Sequence, residues 1–404
     1  MKKCMKFILF AAVVVTMVVA LAACTSDDPP AIQQPDVVDD EPAPEPPPEP
    51  DVVEDEDDVD EPEEDEPAVV GADASHIQVA LVAHSPESIL HDGSFNEGAW
   101  AGVQRFLSNH GLTAGHAQFF QPHSADDETR IDLIADAVGA GANVVVLPGF
   151  HFIDSSAVVQ EMFPDVHFIL LDATPAGGAA SNLAAIHYAE EQAGFLAGYA
   201  IVMEGHRSLG FMGGHAVPAV VRFGHGFLQG ANHAAGVLGL EAGEITVNYF
   251  YVGGFAPDPG VATTAAAWFA AGTEVIFAAA GGAGFSVMAG AEEQGGLVIG
   301  VDVDQSANAV VITSAMKALD VSVYDMLTDI LNDNFTGGVH MFDASINGVG
   351  LPMGTSRFQY FTEAQYTAIF AQLASGAITV NNVVTPSVTE AELDIPLLTV
   401  VELN

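Results

Sequence analysis

Residues 143–171 read NVVVLPGFHFIDSSAVVQEMFPDVHFILL, and they contain the pattern of a strand, a helix and a second strand in that order. The run 143–147 is apolar and β-branched, which is typical of a strand buried on both faces. Residues 155–163 place their apolar side chains at helical spacing, and 167–171 form another uninterrupted apolar run. This order predicts two strands of one sheet that are connected through a helix packed on that sheet.

The same alternation continues on both sides of this stretch, with apolar runs that predict strands and amphipathic stretches that predict helices. We therefore predict an α/β protein with doubly wound sheets, in which ligands lie beyond the carboxyl ends of the strands. The roughly 330 residues after position 74 are enough for two domains. The predicted strands are 77–82, 143–147, 167–171, 208–212, 245–252, 274–278 and 297–301, and the predicted helices are 97–110, 155–163, 190–204, 219–235, 261–271, 285–294 and 321–334.

The N-terminus has the features of an export signal. Three lysines lie within the first six residues, and the apolar run 7–20 that follows is too short for a comfortable membrane span. Small residues then lead to Cys24 in the sequence LAAC, which resembles a bacterial lipobox. The resemblance implies removal of a signal peptide, 1–23, and lipidation of Cys24, so that acyl chains hold the protein on the extracytoplasmic face of the cell membrane. An ordinary secretory signal with an incidental cysteine is the alternative.

The segment 25–74 contains 21 acidic residues and 11 prolines, and it has no lysine, arginine or aromatic residue. A segment of this composition cannot form an apolar core, so we predict that residues 24–74 are the lipidated cysteine and a disordered tether. An acidic interaction tail or a calcium-collecting surface is the alternative. The chain after position 74 carries 33 acidic residues against five arginines and one lysine, which argues against nucleic acid as a partner.

Aromatic residues follow several predicted strands. The loop after the first strand reads HDGSFNEGAW (91–100), where Ser94 or Asn96 can cap the next helix and Phe95 lies at the start of that helix. Phe150 lies in the sequence GFHF and Phe255 in GGF, after two further strands. Loop aromatics beside glycines suggest a flat ligand held by stacking, although these rings could instead close the hydrophobic core.

Signatures of enzymes are missing from the sequence. The glycine-rich stretches 281–284 and 348–350 do not form a dinucleotide fingerprint after the first strand of a βαβ unit, and there is no P-loop, HExxH or GxSxG. Without the signal peptide, Cys24 is the only cysteine, so no free thiol nucleophile remains. The 14 histidines are scattered without the close spacing of metal ligands. We predict a protein that is not an enzyme and has neither cofactor nor metal site.

The loop HDGSFNEGAW also resembles the SFNQSAW-type segment of the basic membrane protein family of substrate-binding lipoproteins. Further matches follow in the same order over essentially the whole domain. They are GFHF, FPDVHFILLD, NLAAIHYAEEQAGFLAGYA, SLGFMGGHAVPAVVRFGHGF, AAAGGAG, IGVDVDQ and TSAMKALDVSVYD.

This resemblance implies the type I periplasmic-binding-protein fold, in which two doubly wound α/β lobes are joined by a three-strand hinge. We assign 75–205 plus 310–337 to the N-terminal lobe and 206–309 plus 338–404 to the C-terminal lobe. The family resemblance further implies a monomeric receptor that delivers a small molecule, with a purine nucleoside as the leading ligand, to an ABC permease and its ATPase. A sugar or another small metabolite is the alternative ligand, and a surface adhesin or sensory receptor is the alternative function.

The resemblance also implies roles for individual residues. Phe95 would stack on the base and Asn96 would hydrogen-bond it, while Asp302 would accept hydrogen bonds from sugar hydroxyls. Lys317 matches a ligand-facing lysine and is the only lysine after the signal peptide. An ion pair with Asp302 or Asp304 is the alternative role of Lys317, and Asp304 itself is expected to be structural.

Phe150, Phe255 and Asp154 are further candidate ligand contacts, although differences in loop length could turn their side chains toward the core or the hinge. Relatives carry an aspartate just after the first strand, where this chain has 83–85, Ala-His-Ser. This departure leaves the selectivity for the base open.

Overall fold

The computed structural model describes residues 73–403. Cys24, the predicted signal peptide and nearly all of the predicted tether lie outside the described residues. Within 73–403, no helix combines the length and the apolar character needed to cross a membrane.

Strands and helices alternate along the described chain, as predicted. The strands are β1 (Val79–Val82), β2 (Ala117–Phe120), β3 (Val144–Pro148), β4 (His167–Leu171), β5 (Leu183–Tyr188), β6 (Ser208–Gly213), β7 (Ile245–Tyr251), β8 (Val275–Ala279), β9 (Leu297–Asp302), β10 (Val311–Lys317), β11 (Gly338–Phe342), β12 (Val349–Gly350) and β13 (Leu398–Glu402). The helices are α1 (Phe95–Asn109), α2 (Asp127–Gly139), α3 (Ile153–Met162), α4 (Glu190–Glu204), α5 (Pro218–Leu238), α6 (Pro259–Ala270), α7 (Ala283–Gln294), α8 (Leu319–Leu331) and α9 (Glu363–Ala374).

These strands form two sheets. The first has the order β11-β5-β4-β3-β1-β2, and all of its neighbouring strands are parallel. The second has the order β12-β10-β9-β8-β6-β7-β13, and only the short pairing of β10 with β12 is antiparallel. Central strands such as β3 and β8 are buried at every residue, because helices cover both faces of a parallel sheet. The predicted α/β fold with two doubly wound lobes is therefore confirmed.

The allocation of two strands to the lobes corrects the prediction. The segment that contains β10 was assigned to the N-terminal lobe, but β10 pairs with β9 in the second sheet. The segment that contains β11 was assigned to the C-terminal lobe, but β11 pairs with β5 in the first sheet. Strand β10 is buried like the central strands of either sheet, and β11 is a half-exposed edge strand, so neither pattern identifies its partner.

Helix α4 also lies elsewhere than predicted. Its main partner is α5, in the second lobe, although residues up to 205 were assigned to the N-terminal lobe. Glycines at four-residue spacing make this contact close: a Cβ atom added to Gly194 or Gly198 of α4 would lie within about 2.2 Å of a carbonyl oxygen of α5. The same holds for Gly226 and Gly230 of α5 against carbonyl oxygens of α4. The sheet membership of β10 and β11 and the packing of α4 therefore differ from the predicted lobe boundaries after residues 205, 309 and 337.

Candidate functional site

A cavity of about 890 Å³ opens where the carboxyl ends of the strands of both sheets meet. Parallel sheets leave a crevice at this edge, where loops that follow different strands converge. The loops after β1, β3, β6 and β7 line the cavity together with the last residues of β9 and β10. The predicted residues among the lining are Phe95, Asn96, Phe150, Phe255, Asp302 and Lys317.

Asp154 is the predicted residue that the fold does not bring to this cavity. It lies in the first turn of α3, is exposed, and is not part of the lining. The preceding turn, Phe150–Phe152, directs Phe150 and His151 into the cavity. The helix that begins just after this turn carries Asp154 away from the cavity.

The start of α1 is held by Asp92 and not by the predicted Ser94 or Asn96. The Asp92 carboxylate accepts hydrogen bonds from the backbone N–H groups of Ser94, Asn96 and Glu97, at 2.9, 3.0 and 3.1 Å. This arrangement satisfies donors that a helix N-terminus otherwise leaves unpaired. The Asn96 side-chain amide donates to the Ile89 carbonyl at 3.1 Å, so it links the start of α1 to the preceding loop.

Lys317, at the end of β10, is the centre of a buried charge cluster. It is 3% exposed, and its Nζ atom forms an ion pair with Asp172 at the end of β4. The same atom lies 3.2 Å from Glu190 Oε1 and 3.7 Å from Asp302 Oδ1. Arg222 on α5 supplies a second cation, since its Nε lies 2.6 Å from Glu190 Oε2. The ion pair expected as an alternative for Lys317 is thus present with Asp302, and with two further carboxylates.

Asp304, the other partner considered for Lys317, has a separate structural role. It accepts hydrogen bonds from Thr355 Oγ1 at 2.6 Å and from the Ser306 backbone N–H at 2.9 Å. These contacts hold the turn after β9 against the C-terminal part of the chain. Asp304 does not line the cavity.

Burial and charge act against each other within this cluster. Burial raises the pKa of Asp172 to about 7 although Lys317 opposes the shift, and burial also raises the pKa of Asp302. Burial disfavours the charged form of Lys317, but the three carboxylates outweigh burial and raise its pKa. Lys317 is therefore charged at neutral pH, and the carboxylates in the cluster outnumber the cations.

The backbone at both cavity aspartates is unusual for residues other than glycine. Asp172 has φ of 57° and Asp302 has φ of 67°, both in the left-handed region. Aspartate enters this region more readily than most residues, and such conformations concentrate at functional sites. Each of the two residues ends a strand or directly follows one, so the strained turns direct two carboxylates toward the cavity from opposite lobes.

Within the described residues, not every carboxylate oxygen of this cluster accepts a hydrogen bond. Asp302 Oδ2 accepts a hydrogen bond from Ser94 Oγ at 2.9 Å, which joins the two lobes. Asp172 Oδ1, in contrast, is buried and has no hydrogen-bond partner within residues 73–403. An unpaired buried acceptor is costly, so a ligand that donates to it would remove this cost.

Aromatic rings form the remaining walls. Phe95 lies with its ring centre 5.1 Å from Lys317 Nζ, and Phe223 approaches the same ammonium at 5.3 Å. From the other side of the cavity, Phe150 and Phe255 approach each other with ring centres 6.3 Å apart. These two phenylalanines belong to loops of different lobes, so a flat molecule between the lobes can contact rings from both.

The sequence interpretation missed Asp172, Glu190, Arg222 and Phe223. Asp172 carried a recognisable signal, because it directly follows the predicted strand 167–171 and therefore lies at a carboxyl end. Phe223 lies within the apolar helix α5, where the sequence gives no indication that a side chain lines the cavity.

Glu191, beside the cluster on α4, makes stability depend on pH. Burial raises its pKa from 4.5 to about 7, and the charge of Glu190 adds to the shift. Because the folded-state pKa is the higher one, the stabilisation is fully present below about pH 4.5 and is lost as the pH rises through 7. We expect Glu191→Gln to change the melting temperature little at pH 5 and to raise stability at pH 8.5 by on the order of 1–2 kcal/mol.

Thermal denaturation from pH 5 to pH 8.5 measures this difference. Glu128→Gln is the matched control, since Glu128 also lies in the first turn of a helix but is exposed. An equal melting temperature for Glu191→Gln and the unmodified protein at pH 8.5 would contradict the prediction.

Comparisons with known proteins agree with this geometry. Residues 78–380 match the Bmp family, described as "ABC transporter substrate-binding protein PnrA-like". Over 294 residues the chain is 26% identical to the ABC transporter nucleoside-binding protein BmpA of Lactococcus lactis subsp. cremoris, covering 67% of this chain and 81% of that protein. Basic membrane protein A1 of Borrelia garinii subsp. bavariensis is 28% identical over 262 residues, which are 62% of this chain and 73% of that protein.

Solved structures show the same fold. A solute-binding protein of an ABC transporter system from Aeropyrum pernix K1 aligns with a TM-score of 0.60 and 22% identity, covering 78% of this chain and 86% of that chain. A second, from Conexibacter woesei, aligns with a TM-score of 0.62 and 24% identity, covering 76% of this chain and 99% of that chain. The predicted membership, and with it the prediction of a receptor and not an enzyme, is confirmed: this chain belongs to the Bmp family of PnrA-like substrate-binding proteins of ABC transporters.

Proposed function

We propose that this protein is the monomeric, lipid-anchored receptor through which an ABC importer acquires a purine nucleoside. The observation that carries the proposal is the combination of aromatic rings and buried carboxylates around one cavity between the lobes. A nucleoside needs both parts, because its base offers a flat face and its ribose offers hydroxyl donors. The name of the Lactococcus lactis relative, a nucleoside-binding protein, supports the same ligand class.

The size of the cavity supports a small organic ligand. Its volume of about 890 Å³ lies within the usual range of small-molecule sites, which are mostly apolar with a few placed polar groups. Phe95, Phe150 and Phe255 would contact the base. Asp302 and Asp172 would accept hydrogen bonds from the ligand.

The charges in the cavity wall, Asp172, Asp302 and Lys317, and those of Glu190 and Arg222 directly behind it support a neutral ligand over an anionic one. Asp172, Glu190 and Asp302 together outnumber the two buried cations, Lys317 and Arg222, which these carboxylates already pair. A phosphate group brought here would meet excess negative charge in a medium of low dielectric constant. Nucleosides should therefore bind in preference to nucleotides.

Delivery to a permease requires that the two lobes close on the ligand. We propose that the lobes are 75–188 with 319–342 and 190–317 with 343–403, and that the three connections between them act as the hinge. This division follows the sheet membership of β10 and β11 and the packing of α4 on α5.

Isothermal titration of the purified protein with nucleosides tests the ligand class. We expect adenosine, guanosine or inosine to bind and to raise the melting temperature, since a ligand at one hundred times its Kd stabilises the native state by about 2.7 kcal/mol. Ribose and adenosine monophosphate are the matched comparisons. Binding of ribose alone would favour a sugar receptor, and binding of none of the nucleosides would refute the proposal.

The anchor has a test of its own. We expect Cys24→Ser to move the protein from the membrane fraction to the soluble fraction, because acyl chains on Cys24 would provide the attachment. Cys4→Ser is the matched control, since Cys4 lies within the predicted signal peptide and should leave the protein in membranes. Fractionation that recovers Cys24→Ser in the membrane pellet would contradict the lipid anchor.

A further inference from the structure

His151 is fixed between two other rings at the edge of the cavity. Its imidazole is parallel to that of His84, with ring centres 4.0 Å apart and an interplanar angle of 3°. On its other face lies Phe150, also at 4.0 Å. All three residues line the cavity. Because both faces of the His151 ring are covered, only the edge of the ring, which carries the two nitrogens, is left to contact a ligand.

Hydrogen bonds hold the neighbouring His84 in place. Ser88 Oγ lies 3.0 Å from His84 Nδ1, and Arg130 Nε donates to the His84 backbone carbonyl at 2.9 Å. His84 is therefore held by its own hydrogen bonds. His151, in contrast, has no side-chain hydrogen bond to any residue within 73–403. It is a half-buried polar ring that is ordered by stacking and has unused hydrogen-bonding capacity.

The surroundings keep this ring uncharged. Burial, together with the neighbouring His84, Arg130 and His215, lowers the pKa of His151 to about 3. Burial and Arg130 lower the pKa of His84 to about 4, against the opposing charge of Glu87. At neutral pH the His151 ring thus offers one N–H donor and one nitrogen acceptor.

We propose that His151 determines specificity in this cavity by hydrogen-bonding the polar edge of the ligand's heteroaromatic ring through its ring nitrogens. The inference rests on the proposed function and deepens it, since it assigns recognition of the ring edge to one residue. The aromatic side chains Phe95 and Phe255, which also line the cavity, would position the ligand ring by its face. His151 would then form hydrogen bonds with donors and acceptors on the rim of that ring. The arrangement of these groups distinguishes one base from another.

Two substitutions separate hydrogen bonding from packing. His151→Phe keeps a flat ring between His84 and Phe150 but removes both nitrogens, and His151→Gln keeps a donor and an acceptor without the ring. We expect His151→Phe to weaken the nucleoside that binds the unmodified protein by about tenfold, because a neutral hydrogen bond is lost and a polar ligand edge is left unpaired. His151→Gln should retain more of the affinity than His151→Phe.

His233→Phe is the matched control. His233 is likewise half-buried among aromatic rings, with Phe195 and Tyr199 at 5.5 and 5.9 Å, but it does not line the cavity. Calorimetry with adenosine, inosine and guanosine should therefore give the unmodified affinity for His233→Phe. Nitrogen NMR of the unmodified protein, labelled in its histidine rings, should show a shift of the His151 ring nitrogens when the nucleoside is added.

The outcomes are distinguishable. If the unmodified protein binds a nucleoside and His151→Phe binds it equally well, His151 serves packing alone and this inference is overturned while the proposed function stands. Should His151→Phe fail to fold, unchanged ring-nitrogen shifts on binding would overturn it instead. If the unmodified protein binds none of the three nucleosides, both proposals fall.

Discussion

Replacing Lys317 with methionine is expected to lower the free energy of unfolding by about 3–5 kcal/mol at pH 8, since it removes the cation that three buried carboxylates share. Methionine retains the length of the side chain and its contacts with the rings of Phe95 and Phe223. The loss of stability therefore measures the contribution of the positive charge of Lys317. Arg222 continues to pair Glu190 at 2.6 Å, but Asp172 and Asp302 remain buried without a basic partner.

The loss should depend on pH in a defined direction. Lys317 is the cation that most strongly opposes the effect of burial on the pKa of Asp172 and Asp302, and the substitution removes it. A carboxyl whose folded-state pKa is raised stabilises the fold below its unfolded pKa, and this contribution is lost as the pH rises through the folded pKa. Lys317→Met should consequently be least destabilised near pH 5 and most destabilised at pH 8.

Urea denaturation at both pH values measures this effect. Arg105→Met is the matched control, because Arg105 forms an ion pair with Asp320 at 3.7 Å and the two side chains are 47% and 46% exposed, respectively. Exposed pairs contribute at most about 1 kcal/mol, so the control should lose little at either pH. Adding Asp172→Asn to Lys317→Met should restore part of the stability. If Lys317→Met loses no more stability than Arg105→Met, the buried ion pairs of Lys317 contribute no more than an exposed pair, and the prediction is wrong.

Asp302→Asn is expected to weaken nucleoside binding by about 10- to 150-fold, because hydrogen bonds to a charged group contribute about 1.5–3 kcal/mol. Asparagine tolerates the positive φ of 67° at this position, whereas alanine would add backbone strain. The substitution also removes a carboxyl whose pKa burial raises, so the fold should not be weakened. Any change in affinity then reflects the contact with the ligand.

Two comparisons make this measurement specific. Asp304→Asn changes an adjacent carboxylate that bonds Thr355 and Ser306 outside the cavity, and it should leave the affinity unchanged. A 2′-deoxynucleoside lacks one hydroxyl that Asp302 would bind, so the unmodified protein should prefer the ribonucleoside and Asp302→Asn should lose much of that preference. Equal affinities of Asp302→Asn and the unmodified protein in calorimetry would return Asp302 to a structural role, as the partner of Ser94 and Lys317.

The alternation of elements was predictable because burial on both faces leaves a plain signal in the sequence. Strands such as β3 and β4 are continuous apolar runs, and the helices between them have one apolar side. Several strands were missed, both the largely buried β5 and β10 and others with weaker patterns. In β2 every residue is half-buried or exposed, and the short β12 has only two residues, so neither forms a recognisable apolar run.

The residues around the cavity were predictable where they follow a strand directly. Phe95, Phe150 and Phe255 lie in such loops, and the carboxyl ends of parallel strands converge on one crevice. Asp154 also follows β3 closely in the sequence, but it does not line the cavity. The turn between β3 and α3 orients the helix so that this side chain points outward. Loop position thus indicates which residues are near a cleft, but local backbone geometry decides which of them face it.

The sequence by itself determined the α/β class, the family and the fact that Lys317 is the only lysine after position 6, because apolar patterns, ordered motifs and composition are all present in the linear sequence. Only the tertiary structure decided which sheet receives β10 and β11, and that Lys317 meets Asp172, 145 residues away. Strand partners and buried ion pairs depend on packing between segments far apart in the chain, and no local pattern of side chains encodes that packing.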